Sequence, residues 1–260
     1  PNKCVLKQAS LLQILQQTGY RLIHRTSVFF VLGHIGMLIP FGNRSYRNLK
    51  KTLGEPDKEP IENVVFWNSE LNKKPTAIYE KDIYASGTKL RASELFTIGI
   101  EGEIAFRVKQ DFPINNKPYT RNDIILGISE MLPLIEVIDS RMVNGMEQHS
   151  HLKMADNQSN AAIIIGDPIR NGWQKIDLTR APTSVCVNGA KLYDAISDNP
   201  IRDVFNLITG MINVAATLGT PVKSGQIITT GSCSGLLFVE ANCNVTLKIQ
   251  GVGDVAVSFF

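Results

Sequence analysis

From residue 85 onward the chain is a series of short β-rich runs, and their spacing limits its fold more than any other feature. The runs cover residues 100–108, 132–139, 161–166, 184–187, 227–230, 245–250 and 255–259. Many short strands with turn residues between them favour a barrel or roll. Gly251-Val252-Gly253-Asp254 reads as a hairpin turn joining the last two runs. One helix interrupts the series, with an apolar stripe of Ile201, Val204, Phe205, Ile208, Met211, Ile212, Ala215 and Leu218. Asn199 is placed to cap it, Pro200 sits in the first turn and Gly219 can end it, so the stripe is predicted to pack on the sheet. A lone helix on a β-rich body argues against a doubly wound nucleotide fold, and neither G-x-G-x-x-G nor G-x-x-x-x-G-K-[ST] occurs.

The first third is less regular. Residues 9–17 carry a helical pattern (Leu11, Leu12, Ile14, Leu15), and residues 53–75 are rich in Gly, Pro, Asn and charge, with a short strand expected at 64–67. The reading is therefore an α+β, β-rich chain with a smaller N-terminal α/β region, 1–85, and a β-roll domain, 86–260.

Composition excludes several classes. With 260 residues, 43% hydrophobic and 20% charged, the chain can bury a sizeable core and is neither disordered nor fibrous. A net charge of +3, from 27 basic and 24 acidic residues without a long like-charge block, gives no nucleic-acid footprint. The longest apolar stretch, residues 28–40, contains His34 and is shorter than the roughly 20 residues of a spanning helix. It also lacks the marks of a signal peptide. Cys4, Cys186, Cys233 and Cys243 have no C-x-x-C spacing, so reduced thiols and a cytoplasmic location are expected.

Chemistry concentrates in two of the runs. In Ile100-Glu101-Gly102-Glu103-Ile104-Ala105-Phe106-Arg107-Val108, period-2 alternation sends the isoleucines, Phe106 and Val108 to one face and both glutamates to the other. At about 3.3 Å rise per residue the two glutamates can converge on one ion. The second run ends in Asp139, which offers a third carboxylate. Oxygen-only ligation suits Mg²⁺ or Mn²⁺ rather than zinc. Such an ion leaves room for a ligand that chelates through two oxygens, as a 2-oxo acid does, and acidifies the neighbouring C–H. Taken alone, Glu-x-Glu is also common on the wet face of an edge strand.

Several strings in order carry a family resemblance. They are Ile100-Glu101-Gly102-Glu103-Ile104-Ala105-Phe106, then Leu132-Pro133-Leu134-Ile135-Glu136-Val137-Ile138-Asp139-Ser140-Arg141, then Ala155-Asp156-Asn157-Gln158-Ser159. Pro221-Val222-Lys223-Ser224-Gly225, Thr229-Thr230-Gly231-Ser232 and the closing Gly251-Val252-Gly253-Asp254-Val255-Ala256-Val257-Ser258-Phe259 follow. Together they resemble the hydratase/decarboxylase branch of the fumarylacetoacetate hydrolase superfamily.

The resemblance implies a mixed β-roll, a divalent cation held by Glu101, Glu103 and Asp139, and a homo-oligomer, with a complex with a pathway decarboxylase as a further option. It implies a hydratase that converts a 2-hydroxypenta-2,4-dienoate-like 2-oxo-alkenoate into a 4-hydroxy-2-oxo acid in aromatic-compound catabolism. A 4-oxalocrotonate-type decarboxylase, an acylpyruvate hydrolase and a metal-binding subunit without catalysis stand as alternatives. Ser159 and Ser232 match positions near substrate, while Asp156 and Asn157 fit an Asx-turn that presents Ser159.

One expected group is missing. Relatives carry a lysine in a Tyr-Lys-x-Gly-x-Thr-like segment, whereas the nearest string here is Gly19-Tyr20-Arg21-Leu22-Ile23-His24-Arg25-Thr26-Ser27. Arg21 can bind a substrate carboxylate but cannot serve as a base. His24, His34, His149 and His151 are the side chains that could replace it.

Overall fold

In the computed structural model the described residues are 64–68, 76–140, 156–196, 203–217 and 219–260. Arg21, His24, His34, His149, His151, Asn199, Pro200 and the helix expected at 9–17 lie outside them. The chain forms two compact units, residues 1–60 with 139–159, and residues 61–138 with 160–260. Both sheets belong to the second unit.

Thirteen strands are described: β1 (Val64–Asn68), β2 (Thr76–Tyr79), β3 (Ile83–Ala85), β4 (Thr88–Leu90), β5 (Gly99–Val108), β6 (Ile128–Ile138), β7 (Asn160–Ile165), β8 (Pro182–Val187), β9 (Ala190–Ile196), β10 (Ile227–Ser232), β11 (Leu237–Phe238), β12 (Cys243–Ile249) and β13 (Gly253–Phe259). One mixed sheet runs in the order β2-β1-β10-β5-β6-β7-β3, with β11 beside β5. The other runs β4-β13-β12-β8-β9. The strand-rich body read from the sequence is thus the one observed, with every predicted run present. Among the described residues no helix is long and apolar enough to cross a membrane.

Alternation sorts the side chains as period 2 demands. On β12, Cys243, Val245, Leu247 and Ile249 are buried while the residues between them are exposed. These side chains meet Ile100, Ile104, Phe106 and Val108 of β5 in one large apolar core between the sheets. The two sheets come close at Gly102, where a Cβ would lie 2.4 Å from Leu247 Cδ1. No other residue fits that place without displacing the leucine.

Two helices close the core. In α1 (Arg121–Leu126), Thr120 and Asp123 form a reciprocal capping box. In α2 (Val204–Thr217), Val204, Ile208, Met211, Ile212 and Ala215 are buried in the same core, as the stripe predicts. Its cap is Asp203, whose carboxylate accepts from the N–H groups of Phe205 (3.1 Å) and Asn206 (3.2 Å). Gly219, at φ +77°, ends it as expected. The opposite face of the larger sheet has a smaller apolar cluster of Ile78, Ala105, Leu132, Leu134, Ile163 and Ile227.

Candidate metal centre

Beside that smaller cluster the face turns acidic. Glu101 and Glu103 share it with Ala105 because all are odd-numbered on β5, which is where alternation puts them. On the antiparallel neighbour β6, Leu134 pairs with Glu103 and Glu136 pairs directly with Glu101. Glu136 therefore points the same way, and ligand oxygens of Glu101, Glu103 and Glu136 all lie within 4.8 Å of one another.

The trio differs from the one expected from the sequence. Glu101 and Glu103 come together as expected, but the third carboxylate is Glu136, and Asp139 is not in the group. Glu136 shares the parity of Leu132 and Leu134, which face the smaller cluster, whereas Asp139 lies one residue past the end of β6. Asp139 is buried, and its N–H donates to the Ser159 carbonyl at 2.8 Å. Ser140 Oγ donates to Asp156 Oδ2 at 2.8 Å, so residues 139–140 are stitched to the turn at 156–159. Asn157, Gln158 and Ser159 in that turn have φ of +53°, +55° and +63°. Three successive left-handed non-glycine residues cost on the order of 1–3 kcal/mol each, and such strain gathers at working sites.

Each carboxylate has a different setting. Glu103 and Glu136 are each 1% exposed, whereas Glu101 is half-buried and marks the open side of the group. Burial, first, and then the charges of Glu136 and Glu101 push the Glu103 carboxyl well above the ordinary carboxylate range. The Gly231 N–H, which donates to Glu103 Oε2 at 3.1 Å, and the Thr229 hydroxyl pull the other way by less. Glu136 Oε1 accepts from Asn160 Nδ2 at 2.7 Å.

A one-residue bulge in β10 builds the rest of this wall. Thr229 pairs with Ala105 but Ser232 pairs with Glu103, so one extra residue is taken up around Gly231 at φ +85°. That left-handed place favours glycine, and bulges of this kind re-aim side chains beside working sites. Here it sets Ser232 opposite Glu103. The Ser232 hydroxyl oxygen is buried and, among the described residues, has no hydrogen-bond partner.

A divalent cation fits this donor set. Three carboxylates held within 4.8 Å, two of them buried, repel each other strongly, and a hard cation neutralises the repulsion through oxygen ligands alone. The sequence reading missed Glu136 and Asn160. Cross-strand register identifies Glu136, and nothing local in the sequence marks Asn160.

Comparison with known proteins agrees with the motif resemblance. No protein-family model matches the chain. It is 28% identical over 182 residues to a 2-hydroxyhexa-2,4-dienoate hydratase of Comamonas testosteroni, covering 67% of this chain and 64% of that protein. It is 27% identical over 173 residues to a 4-oxalocrotonate decarboxylase of Pseudomonas putida, covering 66% of this chain and 64% of that protein. The chain thus matches just under two thirds of the length of each. Among solved structures, a 4-oxalocrotonate decarboxylase from Pseudomonas putida G7, complexed with magnesium and adipate, superposes with a TM-score of 0.64 at 19% identity, over 92% of this chain and 99% of that one. A protein of Yersinia pestis CO92 described as belonging to the fumarylacetoacetate hydrolase family superposes with a TM-score of 0.55 at 14% identity, over 77% and 93% of the two chains. The structural likeness is one of fold.

Proposed function

We propose that this chain, a relative in sequence and fold of the hydratase/decarboxylase branch of the fumarylacetoacetate hydrolase superfamily, is a divalent-cation-dependent hydratase. Its substrate would be a 2-hydroxypenta-2,4-dienoate-like 2-oxo-alkenoate, and its product a 4-hydroxy-2-oxo acid. The observation that carries the reading is the gathering of Glu101, Glu103 and Glu136 on one face, two of them buried and all within 4.8 Å. Two buried carboxylates beside a third repel one another, and a divalent cation relieves that repulsion while all three stay ionised.

Glu101, Glu103 and Glu136 would hold Mg²⁺ or Mn²⁺. What such an ion supplies is Lewis acidity toward a chelating 2-oxo acid, making the neighbouring carbon acidic. The chain's own groups do the rest. Asn160 and Gly231 keep two of the carboxylates in place. Ser232, with its buried hydroxyl opposite Glu103, donates to the substrate carboxylate, and Ser159 is the second hydroxyl proposed to do so. Leu132, Leu134 and Ile163 lie on the same sheet face next to the acids and make their surroundings apolar. Arg21 remains a proposed partner for the substrate carboxylate.

A 4-oxalocrotonate-type decarboxylase is the second reading, favoured by the superposition over 99% of such an enzyme. The experiment mixes the purified chain and Mg²⁺ or Mn²⁺ with 2-hydroxypentadienoate and follows the dienol absorbance. Decay with formation of the 4-hydroxy-2-oxo acid supports the hydratase, while CO₂ release from 4-oxalocrotonate selects the decarboxylase. Silence toward both leaves a cation-binding subunit without catalysis. Glu103→Ala abolishes either activity on this reading, and full activity in that variant would sink the cation assignment.

A further inference from the structure

We propose that Asn160 is a positioning residue for Glu136: its side-chain amide fixes the direction in which that carboxylate presents its ligand oxygen, and so sets how tightly the site holds a divalent cation. The inference rests on the reading of the acidic trio as a cation site and adds a residue that acts on that site from behind. In the β6–β7 ladder, Glu136 pairs with Ile163 and Val137 with Ala162, yet Ile138 pairs with Asn160. Regular pairing would have matched Ile138 with residue 161. Ala161 is therefore an extra residue in β7, and its insertion inverts the facing of whatever precedes it.

Without that insertion Asn160 would share the face of Ala162 and Ile164, which lie in the large apolar core. A primary amide there would be costly to bury. With the insertion, Asn160 shares the face of Ile138 and Glu136. It is 5% exposed, and its Nδ2 lies 2.7 Å from Glu136 Oε1. Chemistry fixes which way round the amide sits, since an ionised carboxylate only accepts and the nitrogen must face it. It also explains the residue type: an aspartate of the same shape would add a fourth negative charge beside three. Glu103 has the Gly231 N–H as donor from β10 on one side of β5, and Glu136 has Asn160 from β7 on the other. Each wall of the acid group thus supplies its donor through a bulge, one at Gly231 and one at Ala161. A long glutamate side chain has several rotatable bonds, and a donor that holds it in the ligating rotamer lowers the ordering cost of binding.

The test strips the protein of metal and titrates Mn²⁺ against wild type, Asn160→Ala and the volume-retaining Asn160→Leu, with free Mn²⁺ read by electron paramagnetic resonance. Melting temperatures are measured for each with and without Mn²⁺. The expected result is Mn²⁺ affinity about 10- to 100-fold weaker in both variants. The rise in melting temperature on adding a fixed Mn²⁺ concentration then shrinks in both. A purely structural role would lower the metal-free and loaded melts together and leave that rise unchanged, and this outcome would overturn the proposal. So would wild-type affinity in the two variants. If wild type itself binds no Mn²⁺, the cation reading of the trio fails first, and the role of Asn160 goes with it.

Discussion

Replacing Glu103 by glutamine separates what the acid group costs the protein from what it does. The magnitude follows from the geometry. Each neighbouring carboxylate within 4.8 Å repels an ionised Glu103 by about 3 kcal/mol at an effective dielectric of about 20. Two neighbours make roughly 7 kcal/mol on the same basis, before the burial of Glu103 is counted. Taking up a proton instead costs a glutamate that ordinarily titrates near 4.3 only about 3–4 kcal/mol at pH 7. Protonation is the smaller cost, so the crowding favours the protonated form of Glu103 in metal-free protein, in keeping with its raised pKa.

The sign of the pH dependence follows. Between the ordinary carboxyl range and the raised folded value, the native state binds a proton that the unfolded chain has released. Stability therefore falls as pH rises through that window. Glutamine keeps the shape and an acceptor for the Gly231 N–H but removes the titration. In EDTA at pH 7, Glu103→Gln is expected to be more stable than wild type by up to about 3 kcal/mol. At roughly 2–4 °C per kcal/mol this is a rise in melting temperature of about 10 °C, shrinking toward pH 5. Mn²⁺ at about a hundred times its dissociation constant then adds about 2.7 kcal/mol to wild type and nothing comparable to the variant. Calorimetric melts from pH 5 to 8, with EDTA and with Mn²⁺, read all of this. Parallel pH slopes for the two proteins in EDTA, or a variant less stable than wild type at pH 8, would refute the reasoning that the trio repels itself.

Two further substitutions probe the surroundings. Gly102→Ala forces a Cβ to 2.4 Å from Leu247 Cδ1, and an overpacking cost of about 1–3 kcal/mol is expected in urea melts; a second change, Leu247→Val, should recover part of it, and simple additivity of the two costs would mean that the contact is not the cause. Ser232→Ala removes a buried hydroxyl that has no protein partner among the described residues, so stability and Mn²⁺ affinity should hold while KM rises, by about tenfold for a lost hydrogen bond to a charged substrate group; an unchanged KM in steady-state kinetics would remove Ser232 from the site.

The parts of this fold that were legible in the sequence are those written in one strand at a time. Period 2 puts Glu101 and Glu103 together, separates them from Ile100 and Ile104, and marks β12 and β13 as half-buried. The helix stripe from Val204 to Ala215 is equally local. β9 carries no clear alternation because nearly all of it is exposed, although the Asn188-Gly189 turn before it, at φ +50° and +82°, is a strong hairpin signal. Asn199 before Pro200 carries the stronger local cap signature, whereas Asp203, which caps the helix, sits inside the apolar pattern. The third carboxylate depends on which residue of β6 faces Glu101, and that register is a property of two strands. Ser232 and Asn160 reach the acid face through bulges, and a one-residue insertion is invisible to a pattern that counts in twos.

The same strand serves the core and the acid group, and this explains why a glycine stands between the two glutamates. β5 must carry Glu101 and Glu103 on one face while its other face meets the second sheet. At Gly102 that sheet comes so close that Leu247 fills the space of a side chain, and the Gly102 N–H and carbonyl are held by Ser234 Oγ (2.9 Å) and the Cys233 N–H (2.7 Å). The backbone between the two carboxylates is thereby pinned on three sides. A strand free to flex could relieve the repulsion of its glutamates by spreading them, at the expense of the geometry that gathers them. Pinned as it is, the strand leaves a proton or a cation as the means of relief, and the choice between them varies with pH and metal concentration rather than with the fold.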